Sequence, residues 1–265
     1  MSRSFAFLLC LAGCNTFGVE VVQREVVASH PGDGIAAVSA DVSVEGTVSA
    51  RGGAGGIDAT ASVEAWIEPD SSAALLDRVR IAMDAVGSEL VVAPDLKGAG
   101  TEQIVLTDLE LLLADRLALD LAVSHGDVAV SALAGPVHID APDGAVTLDD
   151  TGPVDVAARE VTAVIGGGGS IAASGSGAVT ITVLGSDFDA LSVTSETGPV
   201  AIHLPEGRGW DIELATSGEG TAMVSLGGLS CGTTGDPCDS IRFGEGGPLI
   251  HVESAGGIIT VDDLR

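Results

Sequence analysis

Four segments follow one another in a single run: Gly126-Asp-Val128-Ala-Val130, Gly135-Pro-Val137-His-Ile139, Gly144-Ala-Val146-Thr-Leu148 and Gly152-Pro-Val154-Asp-Val156. Each places aliphatic residues two apart after a glycine, so the pair shares one face of an extended strand while the residue between them faces the other way. Successive glycines are 9, 9 and 8 residues apart, enough for a strand of five and a tight turn. Glycine is expected to supply the positive φ of that turn. In Gly-Pro-Val at 136, 153 and 199 the proline takes the first strand position, where a missing N–H is tolerated.

Outward from this run the unit recurs as Gly177-Ala-Val179-Thr-Ile181, Gly198-Pro-Val200-Ala-Ile202 and Gly257-Ile-Ile259-Thr-Val261. Leu191-Ser-Val193 and Ile212-Glu-Leu214 keep the pair without the glycine. A meander of hairpins and a stack of coils both fit this period. The strands are very short, and only Asp143-Gly144 offers a dipeptide typical of two-residue hairpins. Both features favour an all-β solenoid of short stacked strands, about two units to a coil. Such a stack needs its ends covered, and the less regular N-terminal region and the extreme C-terminus are the expected caps. Before the repeats, 19–27 and 35–44 read as strands around the turn His30-Pro-Gly-Asp-Gly34, and 59–68, 79–83 and 89–92 as further strands. Ser71 to Asp77 reads as one helical turn.

Composition limits the function classes. The 265 residues carry 11 Lys and Arg against 38 Asp and Glu, a net charge of −27. That field repels phosphate backbones, and no basic cluster reverses it, which excludes nucleic acid as a partner. It repels anionic lipid headgroups as well. With 3% aromatic residues and no Tyr, the core must be built from Val, Ile, Leu and Ala.

The chain opens with one positive charge at Arg3 and an uncharged apolar run from Phe5 to Leu11, the layout of a secretory signal. That run is far short of the roughly 20 residues a membrane-spanning helix needs. Leu11-Ala12-Gly13-Cys14 resembles a bacterial lipobox, with a branched residue and two small ones before the cysteine. The resemblance implies cleavage of residues 1–13, lipid on Cys14, and a short tether over 14–18. Two or more acyl chains hold a protein stably at a membrane, so membrane contact is expected through this lipid alone. Asn15 after the cysteine points to the outer membrane. Cys10 leaves with the signal. The remaining pair, Cys231 and Cys238, brackets a Gly- and Pro-containing loop and is expected to form a disulfide in an oxidising envelope. Closing so short a loop contributes about 2.5 kcal/mol in the chain-entropy model.

Candidate chemistry is sparse. Gly52-Gly-Ala-Gly-Gly-Ile57-Asp58 approaches a calcium-binding repeat, but Ile57 stands where its first aspartate belongs and no tandem copy follows. Asp140, Asp143, Asp149 and Asp150 cluster in sequence; calcium requires six or more converging oxygens, so only weak Ca2+ binding is expected there. His30, His125, His138, His203 and His251 show no metal-ligand spacing, and His138 and His203 alternate with inward aliphatics and should face solvent. Ser170 after four glycines matches neither a nucleophile elbow nor a phosphate loop. Trp66 and Trp210 read as core or cap residues. No catalytic residue, metal ligand or cofactor is assigned.

Taken together, the strand and Gly-Asp turn before Asp41-Val-Ser-Val-Glu-Gly46, the alternating strand ending near Trp66, the run Leu117 to Val130 and the segment Gly209-Trp-Asp-Ile-Glu-Leu resemble the putative-adhesin family of bacterial β-solenoid domains. The resemblance covers residues 19–265. It implies a right-handed β-solenoid in an envelope setting and brings no catalytic residues. Three functions stay open: a non-enzymatic lipoprotein for adhesion or scaffolding, a carbohydrate-active solenoid using paired carboxylates, and a sensory or assembly module that binds another envelope protein.

Overall fold

The structure, a computed structural model, describes residues 8–9, 20–67, 76–96, 104–166, 168–185, 188–206, 208–217, 220–227, 229–231, 240–243 and 245–264. Among them the fold is all-β, and every strand joins one hydrogen-bonded network.

Two parallel ladders organise that network, and the chain alternates between them. In the first, the start of Val137–Thr151 pairs with Ala118–Val123 on one side and with the start of Val154–Ile165 on the other. Gly169–Gly175, Phe188–Ser195, Leu249–Ser254 and Trp210–Thr216 continue it in that order. In the second, Asp127–Ser131 pairs with the end of Val137–Thr151, which pairs with the end of Val154–Ile165. Val179–Val183, Val200–Leu204, Ile258–Asp263 and Thr221–Leu226 follow. In the middle of the stack Val137 faces Val154 and Val128 faces Val146, so a partner lies 17 or 18 residues away, twice the glycine spacing.

The aliphatic pairs make the core. Val128, Val146, Val161, Val179, Val200 and Ile259 form one buried column, and Val137, Val154, Ile171, Leu191, Ile250 and Ile212 another, each residue at most 4% exposed. Burying such a side chain contributes about 1.5–3 kcal/mol. The columns are continuous because parallel register places equivalent residues one above the other.

The glycines serve a different purpose from the expected one. Gly126 does adopt positive φ, at 102°. Gly135, Gly144, Gly152, Gly198 and Gly257 do not. A Cβ on Gly144 would stand 2.1 Å from the Gly126 carbonyl oxygen, and one on Gly257 would stand 1.9 Å from that of Gly198. These corners therefore need glycine because the neighbouring layer's backbone fills the space a side chain would take.

At both ends, order in space departs from order in sequence. Ala37–Val42 lies between Glu89–Asp95 and Ala118–Val123, and Thr47–Arg51 between Ile104–Leu112 and Asp127–Ser131, so later strands form the outer layer. Leu249–Ser254 and Ile258–Asp263 are likewise inserted one layer inside Trp210–Thr216 and Thr221–Leu226. The expectation that the extreme C-terminus caps the stack is thus corrected: it is an interior layer. Antiparallel strands cover the ends instead. Arg80–Val86 pairs with Glu89–Asp95, Ile57–Ile67 with Ile104–Leu112, and Glu20–His30 with Ile57–Ile67. At the other end Ser240–Phe243 pairs with Trp210–Thr216, and Leu229–Cys231 with Thr221–Leu226. The N-terminal cap is accordingly smaller than expected, since 37–42, 47–51, 89–95 and 104–112 belong to the ladders. The turn at 30–34 is present, with Gly32 and Gly34 at φ near 80°. Positions 71–75 of the expected helical turn lie outside the described residues.

Candidate functional site

The outward residues of the first ladder build a groove of about 650 Å³ across six strands. One row of its lining is apolar: Ala37 faces Ala118 in register, and Pro136 and Pro153 immediately precede the next two strands. A parallel row two residues further along the strands is polar, because alternation returns the same face every second residue. There Asp120 faces His138, and His138 faces Asp155. His138 Nδ1 lies 3.1 Å from Asp155 Oδ2. At the N-terminal end Ser39 donates its hydroxyl to Glu89, which also lines the groove. The side chains of Glu89, Asp120 and Asp155 are solvent-exposed, and the lining includes His138 but no Lys or Arg. Such a surface can hold an apolar chain bearing positive charge. Pro136 and Pro153 floor it without offering N–H donors.

The residues singled out in the sequence are dispersed. Asp140 lies on the first ladder opposite Ala157, whereas Asp149 lies on the second opposite Val164 and is followed by Asp150 at φ 52°. Asp143 sits 3.8 Å from His125. Among the described residues no three His, Cys, Asp or Glu side chains form a group able to hold a metal. Gly52 packs against the Ala132 carbonyl, and Asp58 is bound into a strand opposite Ser29 and Leu112. Ser170 lines the far end of the groove.

Sequence reading missed one pattern, the pairing of histidines with carboxylates on adjacent strands. Besides His138–Asp155, His203 Nδ1 lies 2.5 Å from Asp262, and His251 contacts Glu213 at 3.4 Å and Glu253 at 3.0 Å. His138 and His203 do face outward, with side chains 53% and 34% exposed. Asp155, Asp262 and Glu213 are remote in sequence from their histidines but adjacent in register, whereas Glu253 lies two residues along the same strand from His251. Exposed pairs of this kind contribute about 0–1 kcal/mol each. His30 instead accepts from the Gly32 N–H within its turn.

Trp210 is a core residue, 1% exposed and stacked on Phe188 at 5.4 Å, with the Arg208 guanidinium over its ring. The backbone of Trp66 pairs with Val21. Cys14 and Cys238 lie outside the described residues, and Cys231 is placed by its backbone opposite Val224.

No family model matches the chain, and no curated protein matches it. Seven chains of solved structures are similar, among them the following three. A "putative cell adhesion protein" from Clostridium sporogenes shares 12% identity at a TM-score of 0.36, covering 91% of this chain and 100% of its own. A "putative adhesin" from Bacteroides fragilis shares 12% at 0.34, covering 91% and 97%. A "putative adhesin" from Parabacteroides merdae shares 11% at 0.30, covering 92% and 96%.

Proposed function

We propose that this chain is a non-catalytic envelope lipoprotein. Residues 1–13 are its signal, Cys14 carries the lipid, 14–18 form the tether, and 19–265 form a right-handed β-solenoid displayed for adhesion or envelope scaffolding. The observation that supports it best is the pair of parallel ladders, each nine strands deep and covered at both ends by antiparallel strands. Eight strand spacings make a stiff body about 40 Å long. Its inner columns are aliphatic and its outer rows face solvent, which suits display. Loss of Arg3 with the signal takes the net charge from −27 to −28. Anionic headgroups repel such a body, so it stands off the membrane on its lipid. A Cys231–Cys238 disulfide belongs to the same reading.

The test compares the native chain with Cys14→Ser in cells lacking the native gene. The native chain is expected in the membrane fraction with acylated mass, and Cys14→Ser in the soluble fraction. Surface attachment or envelope integrity should be restored by the first alone. Membrane retention of Cys14→Ser would overturn the anchor, and unchanged attachment and integrity in the gene-deleted cells would overturn the role.

A further inference from the structure

We propose that the inserted layer, Leu249–Ser254 with Ile258–Asp263, is held by two histidine–carboxylate latches that grip when the histidines are protonated and loosen as pH rises. The layer enters out of sequence order. It lies between Phe188–Ser195 and Val200–Leu204 on one side and Trp210–Thr216 and Thr221–Leu226 on the other, and all four precede it in the chain. The device goes beyond display and does not depend on the lipid anchor.

One latch sits on each ladder, and each crosses a different boundary of the layer. On the second ladder His203 faces Asp262 in register, with Nδ1 2.5 Å from Oδ1, which ties the layer to Val200–Leu204. On the first ladder His251 faces Glu213 in register, with Nδ1 3.4 Å from Oε2, which ties the layer to Trp210–Thr216. His251 Nε2 also lies 3.0 Å from Glu253 Oε1 on its own strand. His138–Asp155 is the instructive contrast. It joins Val137–Thr151 to Val154–Ile165, which are consecutive in the chain, so it guards no insertion.

The neighbours set the sign of the response. Beside His203, Asp262 is the charged group in register, and Thr182 on the other strand is uncharged. Around His251, Glu213 and Glu253 flank the ring, and Ser192 on the far strand is uncharged. Asp211 lies two residues before Glu213, and its carboxylate accepts from Arg242 Nε. Imidazole is the side chain whose charge changes between about pH 5 and 8, while carboxylates stay ionised over most of that range. A protonated ring therefore gains an unlike charge across each boundary, and at His251 it also offsets the repulsion between Glu213 and Glu253. A neutral ring leaves those carboxylates uncompensated in a chain of net charge −27. The grip is thus strongest toward about pH 5.5 and declines toward about pH 8. The two histidine side chains are 34% and 37% exposed, so each pair alone is weak. They act together because they hold opposite boundaries of one layer.

The experiment follows amide hydrogen exchange of the purified full chain by mass spectrometry at about pH 5.5 and about pH 7.5. Each rate is expressed as protection relative to an unfolded peptide at the same pH. Protection across 249–263 is expected to fall about fivefold at the higher pH. Residues 169–183 contain no histidine and lie two layers away, so their protection should hold within about twofold. His203→Gln with His251→Gln should abolish the pH difference in 249–263. Glu213→Gln with Asp262→Asn should abolish it too, by removing the charges the rings answer to. His138→Gln should leave it intact. Thermal melts establish that each variant is folded, and if the histidine pair fails to fold, the carboxylate pair carries the test. An equal fall in 169–183 would trace the response to the charge of the whole body and overturn the proposal. A fall in 249–263 that survives either double variant, or no fall in the native chain, would overturn it as well.

Discussion

A Cβ added to Gly144 would lie 2.1 Å from the carbonyl oxygen of Gly126 in the next layer, and neither backbone can yield without opening the ladder. Gly144→Ala is therefore expected to destabilise the protein by about 2–4 kcal/mol, as for forced overpacking of a close-packed interior. Gly55 has negative φ and nothing within 4 Å of its virtual Cβ, so Gly55→Ala should be neutral or slightly stabilising. Chemical denaturation of both variants checks the contrast.

Thr151 faces Ile165 in register, is 1% exposed, and its hydroxyl oxygen has no hydrogen-bond partner. Val has the same shape without the buried hydroxyl. Thr151→Val should raise stability by about 1 kcal/mol, since an unpaired buried hydroxyl costs about 1–3 kcal/mol in mutational series. A lower denaturation midpoint would count against this.

Ser195 is the opposite case. Equally buried, its Oγ accepts from the Gly198 N–H at 3.1 Å and lies 2.8 Å from the Gly177 carbonyl as donor. Ser195→Ala leaves the Gly198 N–H orphaned and should cost about 1–2 kcal/mol. Comparing the melts of Ser195→Ala and Thr151→Val reads the two opposite signs directly.

Ile258–Asp263 is hydrogen-bonded on both sides, to Val200–Leu204 and to Thr221–Leu226. A chain ending before Ile258 should lose amide protection in both neighbouring strands, with 221–226 exchanging near the rate of an unfolded segment. An end cap in this position would leave 221–226 protected. Hydrogen exchange followed by mass spectrometry separates the outcomes.

Much of the local structure was readable beforehand. In Val137-His-Ile139 the alternation alone places the aliphatics inside and His138 outside, and both placements hold. The doubled glycine spacing likewise matches the 17- and 18-residue register of the middle layers. The cap assignment did not hold, because Gly257-Ile-Ile259-Thr-Val261 has the same local pattern whether it ends the stack or enters it. The groove was equally invisible, since Glu89, Asp120 and Asp155 share a surface only through strand order.

Strand positions, face alternation and an aliphatic core were determined by the sequence itself, because side-chain period and glycine placement are properties of neighbouring residues. The order of the layers was decided only in three dimensions. Ala37–Val42 must choose among several parallel neighbours of equal local character, and it settles between 89–95 and 118–123. That choice depends on how the antiparallel covers close the ends. The same choice sets the spacing of the carboxylates along the groove.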